Sequence, residues 1–105
     1  MNGPYPKGKL KSENSNNWSK MTAGKTYRIK TTVVDGDRSV IHAGTTFKFL
    51  GNFFSGFGGV MGVVVSLDGQ NEWAIPFRFD EKGDSDMIET LSTYVEEVSL
   101  DRDAH

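Results

Sequence analysis

The sequence contains no cysteine among its 105 residues, which excludes disulfides, thiolate metal sites and a cysteine nucleophile. Histidine is scarce as well. His42 and His105 are the only two, and their separation matches no zinc-type spacing. No apolar run approaches the roughly 20 residues of a membrane-spanning helix, and the opening Met-Asn-Gly-Pro-Tyr-Pro lacks the apolar segment of a secretory signal. The chain therefore reads as cytoplasmic when made.

Catalytic signatures are also missing. Gly56-Phe-Gly-Gly59 has a phosphate-loop composition, but no Lys-Ser/Thr follows and the loop leads into a strand pattern instead of a helix N-terminus. Asp35-Gly36-Asp37 lacks the later ligands of a calcium loop. Ser66, Asp68 and His42 supply the residue types of a nucleophilic triad without an elbow motif to present the serine. Glu72 and Asp80 are carboxylates that no spacing brings into one cleft. The reading is of a non-enzymatic protein, with no catalytic residue, metal site or cofactor expected.

What the sequence does contain is apolar patterning of period two. Trp73, Ile75, Phe77 and Phe79 alternate with Glu72, Ala74, Pro76 and Arg78, the pattern of a half-buried strand. Pro76 has no backbone donor, so this strand needs an open side or a bulge there. Val60 to Leu67 is dense in β-branched residues and reads as the most central strand. In the run before it, Phe47 and Phe49 alternate with Thr46 and Lys48, and Gly51 permits a bulge before Phe53 and Phe54. Tyr27, Ile29, Thr31 and Val33 mark a first strand closed by the Asp35-Gly36 turn signal, and residues 38–43 mark a short second one. Met87, Ile88, Leu91, Tyr94, Val95 and Val98 recur at helical spacing. They predict an amphipathic helix over 86–98, with Ser85 or Asp86 as its N-cap; in the Asp86 case Glu89 completes a capping pair.

Five short strands and a terminal helix predict a mainly β protein. The expected form is a small five-stranded SH3-like, partly open barrel with one C-terminal amphipathic helix, since closure limits exposed edges. The core is expected to gather Ile29, Phe47, Phe49, Val65, Trp73, Leu91 and Val95. At this length one domain is expected, over residues 21–98. A flexible polar and basic arm (1–20) precedes it, in a composition too polar to offset its ordering entropy, and a polar tail (99–105) follows.

Phe49-Leu50-Gly51, Val65-Ser-Leu-Asp-Gly69, Glu72-Trp73-x-Ile75 and Ile88-x-x-Leu91-x-x-Tyr94-Val95 together resemble a small bacterial family catalogued as a domain of unknown function. The resemblance covers roughly residues 25–98. It implies a compact domain and transfers no activity.

Charge is unevenly distributed along the chain. The formal net charge is −2, yet residues 1–30 hold seven basic residues against one acid, and residues 80–105 hold nine acids against two bases. Two functional readings follow. In the first, Phe53, Phe54 and Phe57 around the glycine-rich loop form a protein-binding surface. Glu96, Glu97 and Asp101 then steer a basic partner, as in an inhibitor or immunity-type protein. In the alternative, Lys7, Lys9, Lys11, Lys25, Arg28 and Lys30, interleaved with Trp18 and Tyr27, bind nucleic acid, against the acidic pI of 5.6. A homodimer through an edge strand near Pro76 is compatible with either.

Overall fold

The computed structural model describes residues 1–10, 20–55 and 59–98. Among these described residues eight strands form in chain order: β1 (Asn2–Pro6), β2 (Thr26–Ile29), β3 (Val33–Val34), β4 (Val40–Ile41), β5 (Thr46–Ser55), β6 (Val60–Ser66), β7 (Asn71–Arg78) and β8 (Val95–Glu97). One helix, α1 (Lys82–Thr90), and a 3-10 turn (Leu91–Tyr94) lie between β7 and β8. Six strands make one open antiparallel sheet in the order β1-β7-β6-β5-β2-β8, while β3 and β4 form a separate ribbon.

The mainly β expectation thus holds, and the sheet is open. The five-stranded SH3-like arrangement is not confirmed, the main sheet having six strands. Its two edges are β1 and β8, so β6 lies inside the sheet as its valine-rich sequence predicts. Pro76 is not on an edge either. The Gly36 N–H donates to the Pro76 carbonyl at 2.7 Å, and in a strand a residue's N and O share one side. The missing proline donor therefore points beyond the end of β1, toward the turn of the β3–β4 ribbon.

The first ten residues correct the expectation of a flexible arm. Asn2–Pro6 pairs with β7, and the chain then turns back, with the Lys9 N–H on the Pro6 carbonyl at 2.9 Å. The rest of the expected arm, 11–19, and the tail, 99–105, lie outside the described residues.

The C-terminal segment departs most from expectation. The helix starts earlier and stops at Thr90, and Val95–Glu97 pairs with β2. Because the helix begins at Lys82, Ser85 and Asp86 lie inside it and not at its N-cap. Asp84 in the first turn instead accepts the Arg78 N–H at 3.0 Å, tying the helix to the end of β7.

One face of the sheet carries the core. Tyr27, Ile29, Phe47, Phe49, Val63, Val65, Ile75 and Phe77 are joined there by Met21, by Val33 and Ile41 of the ribbon, and by Leu91 and Val95; Met87, Ile88 and Trp73 pack against its margin. Of the expected core residues, only Trp73 is half-buried instead of buried. A bulge at Gly51 shifts the register between Phe49 and Gly51. Before it Phe47 and Phe49 face the core; after it Asn52 and Phe54 share that face, and Phe53 points to the other.

Candidate functional site

Phe54 and Phe79 meet at one end of the core face. Phe54 lies opposite Met61 and Met61 opposite Phe77, so the row continues the core toward the β5–β6 hairpin tip. The Phe79 N–H donates to the Gly59 carbonyl at 2.8 Å, which carries the pairing one residue past β7. Here the two rings stand 55% and 41% exposed. Their centroids are 5.0 Å apart at 56°, a tilted geometry that favours aromatic pairs.

Around this pair the charges sort themselves. Arg78 stands 4.0 Å from Asp37 and Lys82 3.4 Å from Asp86. Asp80 and Glu81, exposed beside Phe79, form no ion pair with a described residue. The aromatic end therefore has an acidic rim.

Phe53 occupies the opposite face, directly across from Gly62. A Cβ at Gly62 would stand 2.3 Å from the Phe53 ring. The ring fills the space that the missing side chain leaves, which is why a glycine interrupts the valines of β6.

Glu96 and Glu97 do not form a free acidic surface. Arg28 pairs with Glu96 at 2.7 Å and Lys25 with Glu97 at 3.3 Å. Arg28 and Glu96 are direct cross-strand partners. By strand alternation the two ion pairs fall on opposite faces of the β2–β8 edge. The same contacts commit two of the cations expected to bind nucleic acid. Lys30 and Lys9 are exposed, and Lys7 lies at a separate pocket. Phe57, Lys11, Trp18 and Asp101 lie outside the described residues.

Asp35 and Asp68 each hold a turn. Asp35 is fully buried; its carboxylate accepts the N–H groups of Asp37 and Ser39 at 2.9 Å each and pairs with the Met1 amino group. Asp68 accepts the backbone N–H groups of Asn71 and Gln70 and the Asn71 side-chain amide. These bonds, the Asn71 N–H foremost, hold its carboxyl below the usual carboxylate range. Among the described residues no three metal-ligating side chains converge, and every buried side-chain polar atom has a hydrogen-bond partner.

Phe79 was not among the expected site residues because its alternation with Arg78 reads as core. The signal available was its position, last in the run and followed by Asp80-Glu81-Lys82. Glu72 also takes a different place from the one its sequence suggests. It is buried, and its carboxylate accepts the N–H groups of Gly8 and Leu10 at 3.0 and 3.1 Å, fastening the N-terminal turn over the second face of the sheet.

No protein-family model and no curated protein matches the chain. The motif pattern of the bacterial domain family accordingly gains no support. Among solved structures, the chain is similar to an integron cassette protein, VCH_CASS4, from the mobile metagenome of Vibrio cholerae. The likeness has a TM-score of 0.70 at 17% identity, over 79% of this chain and 91% of that one. At this identity the likeness is one of fold. Its bacterial source agrees with the coarser part of the resemblance. Among the described residues no helix is long and apolar enough to cross a membrane.

Proposed function

We propose that the protein is a non-enzymatic protein-binding module, and that Phe54 and Phe79 form the centre of its contact surface. The exposed aromatic pair carries this reading, because two rings in contact and left in water at the end of the core are of the kind that anchors protein interfaces. The acidic rim of Asp80 and Glu81 favours a partner with an apolar patch bordered by basic residues. An inhibitor- or immunity-type role belongs to this proposal as its finer form, with the steering charge moved from Glu96 and Glu97 to the rim.

Capture from a native extract with nuclease added tests the reading, using wild-type protein and a Phe54→Ser/Phe79→Ser variant as baits. Both side chains are exposed, so the variant is expected to melt close to wild type. One stoichiometric protein retained by the wild type and lost by the variant is the expected result. Equal retention by both baits would overturn the placement. Retention abolished by nuclease would favour nucleic-acid binding through Lys7, Lys9 and Lys30 instead.

A further inference from the structure

The second face of the sheet holds a pocket that the aromatic site does not use. It has a volume of about 220 Å³ and is lined by Lys7, Lys48, Leu50, Ser66, Gln70 and Glu72, with Gly69 at the turn. Strand register builds it. Lys48 pairs with Ser66 and Tyr5 with Glu72, and the next step of the β6–β7 register sets Ser66 beside Glu72. Ammonium, hydroxyl and carboxylate thus stand in one row across three neighbouring strands, with Lys7 brought over the row by the turn after β1.

The charges in this row are not equivalent. Each Glu72 oxygen already receives a backbone N–H, from Gly8 or Leu10, and the nearby Asp68 carboxylate is held by Gln70 and Asn71. Lys7 and Lys48 form no ion pair with a described residue. Lys25, Arg28, Arg78 and Lys82, by contrast, each have a carboxylate partner within 4.0 Å. The pocket's lining carries two ammonium groups against the one Glu72 carboxylate, a net positive charge, with the Leu50 side chain as an apolar wall. Its volume falls below the roughly 300–1,000 Å³ of pockets that enclose drug-sized molecules, so the ligand is small.

We propose that this pocket binds a small oxyanion, a carboxylate or a phosphate, between the ammonium groups of Lys7 and Lys48. The chemistry is that of charge-assisted hydrogen bonds to an anionic oxygen. It stands independently of the aromatic surface.

Amide NMR titrations of the full chain with inorganic phosphate and, separately, sodium acetate test the proposal, against sodium chloride at matched ionic strength. Saturable shifts at Ser66, Gly69 and Gln70 with at least one probe are expected, and the stronger probe identifies the oxyanion class. Lys48→Gln and Lys7→Gln should each weaken binding by about tenfold, as loss of a charge-assisted bond implies. Lys30→Gln, a lysine outside the pocket, should leave it unchanged. Shifts that do not saturate, that chloride reproduces, or that persist equally in Lys48→Gln would overturn the assignment. Lys48 is exposed, so loss of binding in that variant with an unchanged amide spectrum does not reflect unfolding.

Discussion

Gly36 shows how tightly single residues are fitted where the ribbon meets the main sheet. A Cβ there would lie 2.9 Å from the Asp84 carboxylate and 3.0 Å from the Pro76 carbonyl. The second of these is backbone and cannot swing aside. Gly36→Ala should therefore destabilise the protein by about 1–3 kcal/mol as an overpacking change, read by urea unfolding; an unchanged midpoint would refute the contact. Asp68 offers a test of another kind. Its folded carboxyl titrates below the usual range, so its support for the β6–β7 turn is present above that range and fades as pH falls through the lowered value. In an NMR pH titration the Gln70 and Asn71 amides should move only below the ordinary aspartate range, and Asp68→Ala should abolish that movement. Movement centred at or above the ordinary range would contradict the geometry. At this scale the sequence was informative: Asp35-Gly36 and Asp68-Gly69 announce turns through their residue types alone. The oxyanion pocket was not legible, because Lys7, Lys48 and Glu72 lie far apart in sequence and meet only through strand register.

The element that the sequence concealed is β8. Its residues fit helical spacing because Leu91, Val95 and Val98 recur at intervals of four and three, and a three-residue strand is too short to display alternation of its own. What decides the outcome is β2, whose outer edge presents unpaired backbone groups together with Lys25 and Arg28. Val95–Glu97 satisfies both. Two glutamates at a helix C-terminus would also oppose the macrodipole, a conflict that disappears in the strand. Glu96→Lys should cost about 0.2–1 kcal/mol, the usual range for an exposed pair, and Arg28→Glu in the same chain should recover it. If the double variant is no more stable than the sum of the single changes predicts, the pair contributes nothing to holding β8. The opposite edge has its own fastening. Glu72→Ala leaves the Gly8 and Leu10 N–H groups without their acceptor, and hydrogen exchange at both should quicken well beyond any change at Ile75.

At the scale of the whole molecule, a radius of gyration of 13.1 Å is that of one compact domain of about 100 residues. Its largest apolar cluster lies on one face of the sheet. Phe77 and Phe49 are fully buried, so Phe77→Ala should cost about 3–5 kcal/mol, a large share of the roughly 5–15 kcal/mol typical of a domain. Trp73→Ala, at the margin of the core, should cost distinctly less in the same thermal melt. The reverse ranking would displace the core's centre toward β1. Period-two patterning made the mainly β class and the buried members of β5, β6 and β7 readable, since alternation depends only on local sequence. Strand order did not follow from it, because the choice between a closed barrel and an open sheet turns on which distant segments cover the two edges.

That strand order also has a temporal side. The middle of the sheet, β5-β6-β7, joins neighbours in sequence through short connections, whereas β1 must wait for Ala74, and the outer edge of β2, whose inner edge pairs with β5, for Val95 to be made. On a ribosome the first strand emerges long before its partner exists, and the hairpins in the middle can form before either border is in place. Long-range pairings of this kind slow folding and leave nascent edges open to neighbouring chains while synthesis continues. Once both borders are in place, the prolines of β1 and the charges of β8 stand at the two outer edges of the finished sheet and discourage pairing with neighbouring chains.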